Sequence, residues 1–301
     1  MSALYGQTVS PKSEGEGGVP VEFLSAASVD ETLETLAAYG EDAVVLAGGS
    51  AIMYQLKSGI KSGKVLVHVE KLTDLSFVHR DGAPKIGALT SLRKLADSDK
   101  LSDHYNVIRN AAASCGGWQI QSVATIGGNV CNASPSADLV PPLLAHGARL
   151  TLASKSRGSR TIDLDTFLVR YRQSEREPDE LLTTIELDAP APHTADIYIK
   201  VRRRGAMELP IIGLAVRLTL DEPGETIADV RVAACSAGPV PFRATEAEDI
   251  LKGNAASDGV IAEAGAALLE RAAVATDARA SAAYRRAVLP RVLAPAVKDC
   301  A

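Results

Sequence analysis

The sequence predicts an α+β chain: a small α/β unit, a second region mixing helices and strands, and an antiparallel sheet covered by helices. Two observations carry this. Between Val19 and Val69, short apolar runs alternate with a helical repeat, the strand–helix–strand order of a small α/β unit. From Ile197 onward, three long apolar strands come first and three alanine-rich helical stretches follow, which suits a sheet covered on one side. With 301 residues, the chain is long for one ordinary domain and short for three large ones.

Residues 1–18 are polar and rich in glycine, serine and glutamate, and are expected to form a flexible arm. Val19–Phe23 is a short strand. Ser28 and Glu31 make a capping box for a helix that repeats Leu33, Leu36 and Ala37 on one face, with Gly40 as its stop. Ala43–Ala47 reads as a buried strand, Ile52–Leu56 as a helical turn, and Lys64–Val69 as the next strand. Between Phe77 and Asp188, helices are expected near Ser91–Asp97 and Leu101–Ser114. A Gly/Ser/Asn-rich loop follows, then strands near Ala148–Leu152 and Leu181–Leu187. Pro190 and Pro192 mark a linker. Beyond it come strands Ile197–Arg203, Ile211–Leu220 and Ile227–Cys235. Helices near Ala244–Lys252, Ser257–Thr276 and Arg279–Leu289 close the chain, with Pro290 as the last stop. The implied boundaries are 1–18, 19–75, 76–190 and 191–301.

Composition excludes several classes. The net charge of −5 argues against a general nucleic-acid binder. No apolar run is long enough to cross a bilayer, and the N-terminus lacks the basic start and apolar stretch of a secretory signal, so a cytoplasmic location is expected. The four cysteines, Cys115, Cys131, Cys235 and Cys300, form no CxxC pair, and the five histidines show no metal-binding spacing. A metal or iron–sulfur centre within this chain is not expected.

Two glycine loops carry the chemistry. In the first, the strand Val44-Val45-Leu46-Ala47 runs into Gly48-Gly49-Ser50 and then into the turn at Ala51-Ile52. Glycines permit close backbone approach and positive φ, and successive N–H groups can face a phosphate. The motif is neither a Walker A loop nor GxGxxG, and a plain tight turn reads the same way. The second loop, Ala124-Thr125-Ile126-Gly127-Gly128-Asn129-Val130-Cys131-Asn132-Ala133-Ser134-Pro135-Ser136-Ala137-Asp138, is more informative. Small residues and amide or hydroxyl groups run up to an acid. Together the loops would clamp a pyrophosphate from two sides. Asp138 would accept from a ribose or adenine, or else cap the helix at Leu139–Ala145.

Cys115–Leu152, with its TIGGN…ASPSAD run, resembles the FAD-binding segment of the xanthine dehydrogenase (molybdenum hydroxylase) family, which includes the medium chain of carbon monoxide dehydrogenase. Leu46–Ile52 (LAGGSAI) is similar to that family's first pyrophosphate loop, and Tyr198–Leu218 to the start of its C-terminal domain. The resemblance spans Val19 to about Val297. It implies two α/β subdomains forming a PCMH-type FAD-binding domain, plus a C-terminal antiparallel sheet with three helices. It also implies that Val45, Leu46, Ala47, Gly48, Gly49, Ser50, Ala51 and Ile52 wrap the pyrophosphate. Thr125, Gly128, Asn129, Cys131 and Ser134 would line the other side, with Ala124 and Ile126 supplying backbone. Asp138 would lie toward the adenosine end, Leu182 on the flavin ring, and Lys200 at the isoalloxazine edge, where a cation stabilises reduced flavin.

The family pattern implies an electron-relay subunit. A large molybdopterin-binding partner would hydroxylate the substrate, two [2Fe–2S] clusters in a small partner would carry electrons, and this chain would pass them from FAD to an external acceptor. A dimer of heterotrimers is the family expectation. No cysteine-bearing insertion for an extra cluster is present. Cys115 stands where some relatives place an aromatic residue. Trp118 reads as core or as an interface anchor, and Arg202, Arg203 and Arg204 as a solvated face or a partner contact. The sequence contains no evident acid–base pair, which suits a relay. Two rivals remain: a stand-alone FAD oxidoreductase and a non-catalytic nucleotide-binding protein.

Overall fold

A computed structural model of the chain describes residues 7–8, 22–189 and 191–301. Most of the expected N-terminal arm and Val19–Val21 of the first strand lie outside the described residues. Within the arm, Gln7–Thr8 forms a short strand, β1, antiparallel to β2 (Glu22–Ser25).

The first unit is a small parallel sheet with helices. After β2 come α1 (Val29–Tyr39), β3 (Ala43–Leu46), α2 (Ile52–Lys57) and β4 (Val65–His68), in sheet order β1-β2-β4-β3. The capping box is present: Ser28 Oγ accepts from Glu31 N at 3.1 Å, and Glu31 reaches back to Ala27 N. Gly40 ends the helix at φ +52. Leu33 and Leu36 pack onto Val65, Val67 and Val69. Each such fully buried side chain contributes roughly 1.5–3 kcal/mol relative to exposure.

The second unit is an antiparallel sheet. It contains β5 (Val78–Asp81), β6 (Ala83–Gly87), α3 (Leu92–Ala96), α4 (Asn106–Ser114), α5 (Trp118–Val123), α6 (Ile126–Cys131) and α7 (Val140–Ala145). Then come β7 (Arg149–Ser154), β8 (Gly158–Asp163), α8 (Leu164–Phe167), β9 (Leu168–Arg170), β10 (Gln173–Ser174) and β11 (Glu180–Glu186). Sheet order is β5-β6-β11-β7-β8, all antiparallel. The β5–β6 hairpin and β8 were not among the expected strands. The 3₁₀ turn Asp99–Leu101 precedes α4, so that helix starts five residues later than the expected Leu101.

The third unit has β12 (Thr194–Val201), β13 (Ile212–Leu220), β14 (Ile227–Cys235) and β15 (Phe242–Arg243) in sequential antiparallel order. It is covered by α9 (Thr245–Leu251), α10 (Asp258–Arg271) and α11 (Ala282–Cys300). One expectation fails here. Pro290 does not stop the last helix, which runs through Pro290 and Pro295 to Cys300. Leu289, Leu293, Ala296 and Val297 are buried in the core of this unit. Pro290 lies against Gly265 of α10, where an added Cβ would come within 3.1 Å. Tertiary packing thus offsets the hydrogen bond each proline removes.

Candidate functional site

The first glycine loop leaves the end of β3 and turns into α2. Gly48 comes so close to the second unit that an added Cβ would lie 1.6 Å from the Val123 carbonyl oxygen. Gly49 sits at φ +71, a conformation glycine adopts without steric cost. Among the described residues, none of the N–H groups from Gly48 to Ile52 has a hydrogen-bond acceptor in the chain. These amides border the opening between the first two units, so they are free to serve an anion.

The second loop is built differently. Thr125 caps α6, its Oγ1 accepting from Gly128 N at 3.1 Å. Ile126 N donates to Thr90 O, Gly127 N to Ala88 O and Asn129 N to Thr125 O. The amides of Ile126, Gly127, Gly128 and Asn129 are therefore committed to the fold, and Thr125 N alone of this stretch has no acceptor among the described residues, so this wall meets a ligand mainly through side chains. Asn129 Oδ1 is buried and has no donor among the described residues, an acceptor that a ligand N–H or O–H would satisfy. Gln55 Nε2 donates to Asn132 Oδ1 at 2.7 Å and ties α2 to the end of this loop.

Between the two walls lies an open cleft with a cavity volume of about 290 Å³. Of the residues expected at the site, Val45, Ala47, Gly48, Gly49, Ser50, Ala51, Ile52, Ala124, Thr125, Gly128, Asn129, Cys131 and Leu182 line it, and Leu46, Ile126, Ser134, Asp138 and Lys200 do not. Leu46 and Ile126 are buried in the cores beneath. Ser134 Oγ accepts from Ser136 N within its own turn. The cleft also takes Gln55, Cys115, Arg172 and Arg176. Both arginines come from the β9–β10 hairpin region, where no motif points to them.

Asp138 and Lys200 meet each other. Lys200 Nζ lies 2.9 Å from Asp138 Oδ2 and donates to Ser114 O at 2.8 Å, while Tyr198 donates its hydroxyl proton to Asp138 Oδ1 at 2.8 Å. Both charged side chains are buried, at 1% and 5% exposure, so Lys200 is no solvated strand lysine. One pair in contact does not serve the two opposite ends of a dinucleotide, as the assigned roles require. Nor does Asp138 cap α7, whose N-cap is Leu139 without a side-chain bond. Burial pushes the Asp138 carboxyl above its usual range, against the pull of Lys200 and Tyr198. The pair abuts Cys115, which faces the cleft, so it braces the cleft wall from behind. Burial raises the Cys115 thiol to about 12 and the Cys131 thiol to about 11, which keeps both protonated and unreactive.

The ionisable groups lining the cleft are Lys61, Arg172, Arg176, Glu180 and the two thiols. Glu180 is held by Arg160 at 2.6 Å. Among the described residues that line the cleft, Glu180 is the one carboxylate and it is already paired, while the cations and free amides suit an anionic ligand. Trp118 is 64% exposed, with the Arg93 guanidinium 4.2 Å from its ring centroid, so it is not core. Arg202, Arg203 and Arg204 are exposed, and Arg203 pairs with Glu208 at 2.6 Å.

Comparison with known proteins divides the chain between its first two units and its third. Residues 19–190 match the FAD binding domain in molybdopterin dehydrogenase, and residues 197–299 match the CO dehydrogenase flavoprotein C-terminal domain. The chain is 28% identical to the glyceraldehyde dehydrogenase medium chain of Sulfolobus acidocaldarius, over 94% of this chain and 99% of that one. It is 32% identical to the 6-hydroxypseudooxynicotine dehydrogenase complex subunit alpha of Paenarthrobacter nicotinovorans, over 92% and 94%. Its fold superposes on a chain of the carbon monoxide dehydrogenase of Hydrogenophaga pseudoflava with a TM-score of 0.88 at 25% identity, covering 92% of this chain and 96% of that one.

Proposed function

The chain belongs to the family of FAD-binding subunits of molybdopterin dehydrogenases, and from that premise we propose that it works as the electron-transfer subunit of a molybdenum hydroxylase complex. It takes electrons from [2Fe–2S] clusters of a small partner subunit and delivers them to an external acceptor. A large molybdopterin-binding subunit oxidises the substrate, and the complex is a dimer of heterotrimers in the cytoplasm. The relatives named as a medium chain and as a complex subunit alpha support the multi-subunit setting. Among the described residues, no helix is long and apolar enough to cross a membrane.

The observation that carries this reading is the cleft with one wall of free amides, Gly48–Ile52, and an unpartnered buried acceptor, Asn129 Oδ1, on the other. Those residues fit a dinucleotide: amides toward the diphosphate, Asn129 toward a hydroxyl or N–H, and Leu182 and Cys115 as apolar surface for the ring. When bound, the flavin supplies the step between one-electron and two-electron carriers. The chain's residues bind and orient it and exclude water on the Leu182 side. The Asp138–Lys200 pair holds the wall that carries Cys115.

Affinity capture of the chain from its native cell, with metal analysis of the eluate, tests the proposal. Two co-purifying subunits with molybdenum and iron are the expected result. Flavin without partners or metals would move the assignment to a stand-alone oxidoreductase.

A further inference from the structure

A flavin dinucleotide held in this cleft, the reading on which the role of Arg172 rests, carries its net charge on the diphosphate. Yet neither glycine loop contains a cation: Val45–Ile52 and Ala124–Asn129 supply only amides, hydroxyls and apolar groups. Among the described residues, three cations line the cleft, Lys61, Arg172 and Arg176. Lys61 is exposed. Arg176 Nη1 is already engaged, donating to the carbonyls of Glu177, Pro178 and Glu180 at 3.0, 3.3 and 2.6 Å.

Arg172 is different. Its Nε and Nη1 are buried and have no hydrogen-bond partner among the described residues. The ring of Tyr171, its chain neighbour, lies 5.2 Å from the guanidinium carbon. A buried guanidinium N–H without an acceptor is costly. The backbone holds the residue in place nonetheless. Arg172 sits at φ +57, which non-glycine residues adopt rarely and keep where the surroundings impose it. Its N–H donates to Ala133 O at 3.0 Å, fastening the hairpin between β9 and β10 to the second loop. The fold thus delivers an unpartnered, always-charged group to the wall facing the free amides of Gly48–Ile52.

We propose that Arg172 neutralises the diphosphate of the bound dinucleotide, donating its unpartnered N–H groups to phosphate oxygens. The free amides of the first loop fix the position of the anion, and Arg172 supplies the charge that they lack.

The test is equilibrium titration of the flavin-stripped full chain with FAD over a series of ionic strengths, for wild type, Arg172→Lys and Arg172→Gln. R172Q is expected to raise the Kd at least about ten-fold and to flatten its dependence on salt, because a screened charge contact has been removed. R172K is expected to keep the salt dependence and to lose less affinity. Wild-type Kd and salt dependence in R172Q would overturn the inference while leaving the flavin role intact. A weaker Kd with unchanged salt dependence would also overturn it, by assigning Arg172 to packing alone. No FAD binding by wild type at any salt concentration would instead sink the flavin role itself.

Discussion

Gly48 and Gly128 both border the cleft but answer different constraints. Gly48 presses against backbone of the other unit, where an added Cβ would overlap the Val123 carbonyl. Gly128 meets only Thr125 Oγ1, at 3.0 Å, and otherwise faces open space. Gly48→Ala therefore forces the two units apart, and is expected to cost about 1–3 kcal/mol of stability together with flavin content. Gly128→Val fills ligand space instead. It is expected to lower flavin content while leaving stability within about 1 kcal/mol of wild type, since valine is no worse than glycine in a helix. Thermal unfolding beside flavin-to-protein ratios for the two variants checks this, and equal loss of stability in both would contradict it. At this scale the sequence revealed some residues and concealed others. The glycines were legible because adjacent glycines after an apolar strand have a backbone meaning. Arg172 was not, because nothing in its neighbours indicates an unpartnered guanidinium. The pairing of Asp138 with Lys200 was hidden by a separation of 62 residues that only the folded chain closes.

The elements were legible where local signals and packing agree. The capping box at Ser28 and the stop at Gly40 bound a helix whose Leu33 and Leu36 are buried, and the long apolar strand Ile227–Cys235 is itself largely buried. They failed where packing overrode the local signal. Pro290 should end a helix by its own chemistry, yet α11 continues because its apolar face is buried on either side of the proline. The β5–β6 hairpin was missed because its residues, Val-His-Arg-Asp and Ala-Pro-Lys-Ile-Gly, carry little apolar alternation and depend on pairing with β11. The second glycine loop shows a third kind of gap. Its residue types suggested free amides, whereas Thr90, Ala88 and the Thr125 cap consume those of Ile126, Gly127 and Gly128. Hydrogen-bond partners distant in sequence decide whether a Gly-rich helix start is a ligand site or a structural turn.

At the scale of the molecule, the flavin-type domain and the C-terminal sheet are joined by buried polar groups. His146, at the end of α7, lies 2.8 Å from Asp196 on β12 and is 2% exposed. Tyr105 on the approach to α4, Arg217 on β13 and Arg231 on β14 also face it. Burial holds the His146 imidazole below its ordinary value of 6.5, against the pull of Asp196 and with the repulsion of the two arginines. By linkage, below pH 6.5 the unfolded chain binds a proton that the folded chain refuses. This contribution to stability is complete above that pH and declines as the pH falls toward the folded value, by up to about 1.4 kcal/mol per pH unit. Urea unfolding at pH 7.5 and 5.5 should show a smaller acid loss in His146→Gln than in wild type, and equal losses would exclude the histidine as the source.

The electron-transfer role requires that this chain itself hold FAD in the cleft between its first two units. The most direct measurement is the absorption spectrum of the purified full chain, with identification of the flavin released on denaturation. Flavin bands and close to one FAD per chain are the expected result. A colourless protein that takes up no FAD when it is supplied would contradict it.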